Sequence, residues 1–271
     1  MKPRKIQFPE EPYWYGGEEP TPVRPWKPRT IPRRHTEKVV YVDGPNLFVI
    51  ALAPSSNEKI TESNASIIQT NTYSLEQWEI ANCGRKITMK DFFALDSSNC
   101  LDCPYSGNSG NGECYTHKFQ QYTGFLAQLR SIKREHLTPF NEDKRTRILS
   151  LSEGRYIRFG TYGEPSLMDA TLVSQMARVA STWTGYTHQW AKDWAKPYAS
   201  WFMASVHTES EVELAGEIDY RSFLAKGKDD PVVGVQCPAS KEAGYKSTCE
   251  KCGLCSGILG KGKKAVSINV H

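Results

Sequence analysis

The chain contains 271 residues, of which 39% are hydrophobic and 24% charged, and its formal net charge is +4. This length allows a sizeable buried core in one large or two small domains, and no stretch approaches the ~20 apolar residues of a membrane span, so we expect no membrane partner. The N-terminal sequence MKPRK runs into Pro, Glu and aromatic residues rather than an apolar segment, so we predict no signal peptide and expect a reducing, cytoplasmic setting.

Residues 1–38 are predicted to form an extended arm. They hold eight of the sixteen prolines, nine Lys or Arg and five Asp or Glu, which accounts for the whole net charge of the chain. Each proline removes a backbone donor and favours extended geometry. The arm also carries Tyr13, Trp14, Tyr15 and Trp26. Two alternatives follow: these aromatic side chains pack back on the folded domain, or the arm binds single-stranded nucleic acid or a host protein.

The remaining residues, 39–271, are predicted to form a single α/β domain that begins with a strand pair. Residues 39–42 and 47–52 are rich in β-branched and apolar side chains, and the tetrapeptide DGPN between them is a turn sequence. The polar residues 55–72 are predicted to be mainly loop. A short helix at 89–93 then leads to a cysteine-rich region.

Eight cysteines divide into two groups of four, and the first group lies in the region 83–117. Its members are Cys83, Cys100, Cys103 and Cys114. A Cys-x-x-Cys turn aims two sulfurs at one centre while others arrive from elsewhere, which is typical of thiolate-ligated metal sites, and disulfides are not expected in a reducing compartment. Both a structural zinc ion and an iron–sulfur cluster fit this group, and His117 could replace Cys83 as a ligand.

A helix is predicted to follow the first group directly. From Tyr115 onward, apolar residues recur at spacings of three and four and form one face, namely Tyr122, Phe125, Leu126, Leu129 and Ile132. Cys114 is therefore expected at a helix N-terminus, where the helix dipole favours a thiolate.

Residues 150–235 alternate between strand and helix patterns, which predicts parallel βα units. Strands are expected at 156–160 and 201–206, and helices at about 168–182 and 209–215. Ligands of parallel sheets collect at the carboxyl ends of the strands. The candidate site residues at these ends are Tyr162, Glu164, Tyr186, His188, Gln189, His207 and Thr208.

Four of these are the candidate catalytic residues, namely Glu164, Tyr186, His188 and His207. Tyr186 and His188 alternate along a predicted strand end, so a polar cluster can converge there. Structural alternatives exist for two of the four. A histidine after a strand is often a hydrogen-bonded structural residue, as we expect for His207. Glu164, in the sequence Gly-Glu-Pro, could cap the next helix.

The second cysteine group lies in the region 237–271, and its members are Cys237, Cys249, Cys252 and Cys255. Three of these sulfurs follow one another at two-residue intervals, as in ferredoxin-type cluster loops, whereas a zinc ribbon normally uses two Cys-x-x-Cys knuckles. The spacing therefore favours an iron–sulfur cluster over zinc. Strands are predicted at 232–235 and 265–270, and the lysines before the last strand, Lys261, Lys263 and Lys264, could contact phosphate or be merely solvated.

Separated motifs resemble an uncharacterised cysteine-rich family found in bacteriophages and bacteria. They are RFGTYGEP at 158–165, GYTHQW at 185–190, CPA at 237–239 and TCEKCGLC at 248–255. The resemblance covers roughly residues 80–271. It implies a phage-type protein that acts in the cytoplasm of a bacterial host.

The chain also distantly resembles the radical SAM superfamily, whose partial βα barrels bind a [4Fe-4S] cluster through three cysteines and hold S-adenosylmethionine (SAM) at a Gly-Gly-Glu-Pro strand end. This resemblance implies that Cys100, Cys103 and Cys114 bind the cluster. It also implies that Gly163, Glu164 and Pro165 contact SAM. The chain departs from the superfamily because the Cys-x3-Cys-x2-Cys spacing is absent and Tyr162 replaces the first glycine.

Two functions are predicted for an α/β fold with a partial βα-barrel-like parallel sheet and two cysteine-rich metal-binding insertions. In the first, the chain is a phage-type cytoplasmic metalloprotein with iron–sulfur centres, and a polar pocket takes a small-molecule or nucleic-acid substrate. In the second, both groups hold zinc, and the chain binds nucleic acid or a host protein without catalysis. The body of the chain is neutral outside the arm, which argues against extensive duplex binding.

Overall fold

The computed structural model describes residues 36–55, 57–61, 66–108, 110, 114–260 and 262–269. Almost all of the predicted arm at 1–38 lies outside the described residues, as does Lys261. All eight cysteines are described, and none is paired in a disulfide. None of the helices in the described ranges is both long enough and apolar enough to cross a bilayer.

The strands, in chain order, are β1 (Glu37–Asp43), β2 (Asn46–Pro54), β3 (Ser66–Ser74), β4 (Tyr156–Tyr162), β5 (Thr182–Thr184), β6 (Tyr186–Thr187), β7 (Met203–Val206), β8 (Ser222–Lys226), β9 (Val235–Gln236) and β10 (Val266–Asn269). The α-helices are α1 (Leu75–Asn82), α2 (Met89–Phe93), α3 (Ser97–Cys100), α4 (Phe119–Arg130), α5 (Glu142–Ser152), α6 (Ala170–Val179), α7 (Glu209–Glu217) and α8 (Cys249–Cys252). Short 3-10 turns span Arg134–His136, Pro165–Leu167 and Asp193–Ser200.

The first sheet has the order β1-β2-β3-β4-β5. β1 and β2 are antiparallel and close through a two-residue turn between Asp43 and Asn46, which confirms the predicted strand pair. β3 is antiparallel to β2, but β4 and β5 are parallel to β3. The sheet is therefore mixed, and only its second half is built from parallel strands.

β3 occupies the centre of this sheet, although most of it was predicted to be loop. It pairs with β2 along nine residues, from Ser66 to Ser74, and with β4 on its other side. Its second half is polar yet buried: Thr70, Asn71 and Thr72 are each at most 5% exposed. The loop prediction was wrong because the second half of β3 is polar. It therefore lacks the alternation of apolar and polar residues by which a half-buried strand is recognised in a sequence.

The second sheet has the order β6-β7-β8-β10-β9 and is parallel throughout. Parallel strands need crossover connections, and α7 supplies one between β7 and β8. Gly185 alone separates β5 of the first sheet from β6 of the second. Its N–H donates to the carbonyl of Cys255 (3.1 Å), and its carbonyl accepts from the N–H of Met203 (3.0 Å). The α/β fold class is confirmed by these two sheets and the helices around them.

Both faces of the first sheet are covered by helices, because alternate residues of β2 enter two different clusters. Phe48, Ile50 and Leu52 pack with side chains of α5 and α6. Leu47, Val49 and Ala51 pack with α1, α2 and α4. A fully buried Leu, Ile or Phe side chain contributes about 1.5–3 kcal/mol to stability, so the two clusters hold the helices firmly against the sheet.

The faces of the second sheet differ from each other. Ala204, Val206 and Leu224 pack against Ala215 of α7 on one face. Met203 and Val266 pack against the second cysteine group on the other face. A cysteine-rich segment therefore takes the position that a second layer of helices would occupy in a doubly wound sheet.

Several element boundaries differ from the predictions. α4 begins at Phe119, so Cys114 lies in a turn five residues before the helix and the predicted helix-start position for this sulfur was wrong. Four of the five predicted face residues of α4 are buried within it, which confirms its apolar face. α6 ends at Val179 because the backbone becomes extended at Ala180 before β5. The strand predicted at 232–235 is largely irregular, since β9 begins only at Val235.

Candidate functional site

The carboxyl ends of β4, β6 and β7 bring three candidate residues to one edge of the parallel strands. Glu164 follows β4 by two residues, and His188 and His207 directly follow β6 and β7. The N–H of His188 donates to Oε2 of Glu164 (3.1 Å). The ring centroids of His188 and His207 lie 5.7 Å apart, and the two ring planes are nearly parallel, with an angle of 14° between them. The structure thus places these three residues together.

Glu164 is a buried carboxylate, 4% exposed, with protein donors on both oxygens. Oε1 accepts from the N–H and the hydroxyl of Ser166 (3.1 and 2.6 Å), and Oε2 accepts from His188. Burial raises the pKa of Glu164, while the hydrogen bonds from Ser166, Thr187 and His188 oppose that rise. The side chain caps the 3-10 turn at Pro165–Leu167 and also ties that turn to the end of β6. The helix that Glu164 was expected to cap, α6, is capped by Asp169 instead.

The ring of Tyr105 contacts the rings of both histidines. Its centroid lies 4.7 Å from that of His207 and 6.2 Å from that of His188. Burial lowers the pKa of His188 to about 4, with a smaller effect from His207, and burial also lowers the pKa of His207. Both imidazoles are therefore neutral at pH 7, a state in which one ring nitrogen accepts hydrogen bonds or binds a metal.

The other candidates lie elsewhere. Tyr186 packs on Phe223 (4.4 Å between centroids) and hydrogen bonds with Cys255, so it belongs to the second cysteine group and not to the histidine pair. The hydroxyl of Tyr162 accepts from Gln77 (2.7 Å) inside the core. Thr208 caps α7. Gln189 is buried directly after His188, and its N–H donates to the hydroxyl of Thr187 (2.9 Å).

Gly163 and Pro165 flank Glu164 in a tightly packed turn. Gly163 has a φ of +76°, and a Cβ there would lie 2.4 Å from the carbonyl oxygen of Thr72 and 3.1 Å from that of Asn99. The ring of Pro165 lies where a Cβ on Gly160 would be, at 2.8 Å. Both residues contact protein, and the Glu164 oxygens accept protein donors, so SAM binding at this turn stays a prediction.

The first cysteine group collects around the buried side chain of Asp96. This carboxylate accepts from the N–H groups of Gly107 (2.8 Å) and Asn108 (2.9 Å), which fixes the loop that carries Cys103. Cys100 hydrogen bonds with Asp96. Nε2 of His117 lies 3.9 Å from Oδ2 of Asp96, and its ring stacks on Phe93 at 3.9 Å.

Three sulfurs of this group lie within electrostatic range of one another. Burial, followed by nearby acidic groups, raises the pKa of Cys100 well above its ordinary value. Burial also raises the pKa of Cys103 to about 12 and raises that of Cys114. Cys83 lies apart: its sulfur is exposed and donates to the carbonyl of Ile80 (3.0 Å), and hydrogen bonds with Arg85 lower its pKa.

The second cysteine group is held against the second sheet by backbone hydrogen bonds. The N–H of Cys237 donates to the carbonyl of Ser267 in β10 (2.8 Å), and the N–H of Cys249 donates to that of Lys59 (3.0 Å). The left-handed Gly253 ends α8. Arg221, 8% exposed, donates to the carbonyls of Leu254, Gly257 and Lys264 at 2.8–2.9 Å, so one guanidinium fixes the loop around Cys255.

The four sulfurs of the second group also influence one another. Burial raises the pKa of Cys255, and the charges of Cys237, Cys249 and Cys252 add to the effect. Burial raises the pKa of Cys249 to about 11, with Cys237 the next cause. Buried thiols of this kind are protonated at pH 7 unless a cation displaces the proton. As they stand, the His, Cys, Asp and Glu side chains of the described ranges form no group of three or more positioned to hold a metal ion.

Sequence reasoning missed Asp96, Tyr105 and Arg221. Asp96 and Tyr105 lie on either side of the Cys-x-x-Cys turn in the chain. From the sequence alone, Asp96 indicates only a helix cap, because it is an acidic residue just before a short helix. Arg221 gives no local signal, because its three acceptors lie 33 to 43 residues away.

Comparison with known proteins found no relative: no family model, no curated protein and no solved structure matches this chain.

Proposed function

We propose that this chain is an α/β metalloprotein with thiolate-ligated centres at both cysteine groups, the second an iron–sulfur cluster, and with a substrate pocket at His188 and His207. One observation carries this proposal. Cys237, Cys249 and Cys255, from segments 12 residues apart, pack on one face of the second sheet. The charges of Cys237, Cys249 and Cys252 all raise the pKa of Cys255. Three sulfurs at two-residue intervals are the spacing of ferredoxin-type loops.

At the first group we propose Cys100, Cys103, Cys114 and His117 as the ligands, in place of a set that includes Cys83. His117 shares the neighbour Asp96 with these three sulfurs, whereas the contacts of Cys83 are with Ile80 and Arg85. A carboxylate beside a histidine ligand fixes the orientation of its ring and raises its basicity. Side-chain rotations would have to bring the four groups to bonding distance, since they form no metal-binding group as they stand.

We further propose that the parallel strands of the two sheets form one partial βα barrel. Only Gly185 separates β5 from β6, and the hydroxyls of Tyr156 in β4 and Thr184 in β5 hydrogen bond at 2.6 Å on the face that also carries Tyr186. In such a barrel the first cysteine group lies at the carboxyl ends of the strands, beside Glu164. The second group then lies beside Tyr156, the first residue of β4.

The proposed pocket is formed where the first cysteine loop meets the ends of β6 and β7. Tyr105 of that loop contacts both histidine rings, and Asp102 pairs with Lys192 at 2.6 Å. Neutral imidazoles next to a metal centre can accept protons or hydrogen bonds from a small-molecule or nucleic-acid substrate. Buried thiolate centres require a reducing setting, so we propose a cytoplasmic location.

The test is the iron, sulfide and zinc content of the full chain purified without oxygen, with the absorption spectrum of the same sample. We expect about four irons and four sulfides at the second group and absorption near 400 nm. Cys252→Ser should abolish this signal, while the matched control Cys83→Ser should retain the metal content of the wild type.

Two other results would overturn parts of this proposal. A chain that binds neither iron nor zinc is not a metalloprotein. Two zinc ions without sulfide would make both groups structural, because a zinc ion with four protein ligands keeps no open position for a substrate or water. That result would favour nucleic-acid or host-protein binding without catalysis.

A further inference from the structure

A cleft of about 420 Å³ lies between the first sheet and α4, within the usual size range of small-molecule sites. Its floor is formed by side chains of β2, β3 and β4, and its wall by the residues that precede and form α4. The polar side chains that face it include Gln69, Asn71, Tyr115, Gln121, Gln128 and Arg158. None of these belongs to the pocket at His188 and His207, so the cleft is a separate site.

Arg158 is the only charged side chain that lines the cleft among the described residues. It projects from the middle of β4, and its Nη2 donates to the hydroxyl of Tyr115 (3.1 Å). The centre of the guanidinium lies 5.9 Å from the centroid of the same ring. Within the described ranges, no Asp or Glu carboxylate comes within ion-pair distance of Arg158. A partly buried guanidinium without a carboxylate partner favours binding of an anion, although the charge of Cys249, once ionised, would oppose part of this preference.

Asn71 provides an unmet acceptor on the same floor. Its Nδ2 donates to Oε1 of Gln128 (3.0 Å), an oxygen that also accepts from the hydroxyl of Tyr73 (2.7 Å). Its Oδ1 is buried and accepts no hydrogen bond from the described residues. A buried acceptor without a donor is unfavourable, and a ligand N–H group would satisfy it.

The cleft therefore offers a cation, an unmet acceptor, amide side chains and an aromatic ring within one small volume. A guanidinium binds phosphate through its planar fork. Amide side chains pair with the edges of nucleobases, and an aromatic ring stacks on their faces. Tyr115 is 58% exposed, so its ring is accessible to a base.

We infer that the cleft binds a nucleoside monophosphate, with its phosphate on Arg158 and its base on Tyr115 and the Asn71 amide. The position of the cleft connects this site with both cysteine groups. Tyr115 directly follows Cys114, and Asn57 and Ile60 flank Lys59, whose carbonyl accepts from Cys249. A bound nucleotide thus contacts the chain segments that fix a sulfur of each group.

The experiment is calorimetric titration of the full chain, with its metal content intact, with AMP, GMP, CMP and UMP. Inorganic phosphate and a single-stranded octanucleotide serve as comparison ligands. We expect at least one monophosphate to bind, and Arg158→Gln to raise its dissociation constant about 10- to 100-fold because a charge-assisted hydrogen-bond pair is lost. The dissociation constant of Arg158→Lys should fall between those of the wild type and Arg158→Gln, since lysine keeps the charge but lacks the planar pair of N–H donors.

Tyr115→Ala tests the same inference without disturbing the core. It should raise the dissociation constant about 5- to 100-fold, the usual effect of removing a stacked aromatic ring. Phe119→Ala is the matched control, because Phe119 is a neighbouring exposed aromatic, 68% exposed, that does not line the cleft, and it should bind like the wild type. Arg147→Gln, which removes an arginine paired with Glu37 at the surface, should also bind like the wild type.

Three results would overturn the inference. The first is that no monophosphate binds at millimolar concentration. The second is that a folded Arg158→Gln or Tyr115→Ala variant binds as tightly as the wild type. The third is that phosphate or the octanucleotide binds at least as tightly as every monophosphate, since the site would then recognise an anion alone or a strand.

Discussion

Two buried carboxylates, Glu164 and Asp96, each fix nearby chain segments by accepting hydrogen bonds from backbone N–H groups. Glu164 accepts from Ser166 and His188, and Asp96 accepts from Gly107 and Asn108. Hydrogen bonds to a charged acceptor contribute about 1.5–3 kcal/mol each, which offsets part of the cost of burial. Burial still raises the pKa of both carboxyls. Both side chains therefore position the residues that carry the proposed chemistry, His188 in one case and the first cysteine loop in the other.

His188 is expected to make stability depend on pH. Its pKa is about 4 in the folded chain, lowered by burial and then by His207, while an unfolded histidine titrates near 6.5. As pH falls below 6.5, the unfolded state takes up a proton that the folded state does not, so stability is lost progressively down to pH 4. We predict a loss of about 2 kcal/mol between pH 7 and pH 5 from this residue.

The measurement is the free energy of urea unfolding at pH 7, 6 and 5 for the wild type and His188→Gln. The variant should lose less stability than the wild type as the pH falls. His136→Gln removes an exposed imidazole and is the control. Equal pH slopes in the wild type and His188→Gln would contradict this prediction.

Gly163 is expected to tolerate no side chain. Its φ of +76° matches that of Gly84, at +75°, but a Cβ on Gly84 meets no atom within 4 Å whereas one on Gly163 meets the Thr72 carbonyl at 2.4 Å. Gly84→Ala should therefore cost only the backbone strain, about 1–2 kcal/mol. Gly163→Ala should cost about 1–3 kcal/mol more, because neighbouring backbone must move.

Urea unfolding of the two alanine variants measures this difference. Gly163→Ala should also lower the metal content of the first group, since the displaced Asn99 precedes Cys100. Equal destabilisation of both variants would show that the turn opens without cost.

Among the elements, those with one apolar face could be predicted from the sequence. The strand pair β1–β2, the core of β4 and the apolar face of α4 all follow from spacing alone. β3 could not be predicted, because Gln69 and Asn71 face the cleft instead of an apolar layer. α5 was also missed, since within its eleven residues only Ile148, Leu151 and Ser152 are buried.

The site could be predicted in part, for the same physical reason. Local spacing identified the sulfurs of each group and the side chains that follow β4, β6 and β7. It could not show that Tyr186 faces Cys255 rather than His188, nor that Cys83 lies apart from its group, because both depend on which face of an element packs inward. Long-range partners such as Arg221 are visible only in three dimensions.

The junction between the two sheets is expected to be sensitive to volume. A Cβ on Gly185 would lie 2.5 Å from Cδ1 of Phe202 and 3.2 Å from Cβ of Phe159, and both rings are at most 1% exposed. Gly185→Ala should therefore cost about 1–3 kcal/mol, the usual effect of overpacking. Gly216→Ala in α7 is the control and should stabilise by about 0.5–1 kcal/mol, since a Cβ there meets no atom within 4 Å.

Thermal or urea unfolding of both variants checks this prediction. A neutral or stabilising Gly185→Ala would mean that the two sheets are not packed tightly where the chain passes between them. The proposed partial βα barrel would then lose its main support.

At the scale of the whole molecule, the two cysteine groups lie at different ends of β4. The first adjoins Glu164, just beyond the carboxyl end of this strand, and the second adjoins Tyr156, its first residue. Arg158 lies between them in the same strand and faces the cleft. One strand thus connects both proposed metal centres and the proposed nucleotide site.

X-ray absorption at the metal edge of the purified full chain tests the central claim most directly, because it counts the sulfur atoms bound to the metal. We predict a shell of sulfur neighbours at about 2.3 Å that persists in Cys83→Ser and is reduced in Cys252→Ser. A metal surrounded only by nitrogen and oxygen at about 2.0–2.2 Å, or a spectrum that Cys252→Ser leaves unchanged, would contradict thiolate-ligated centres in this chain.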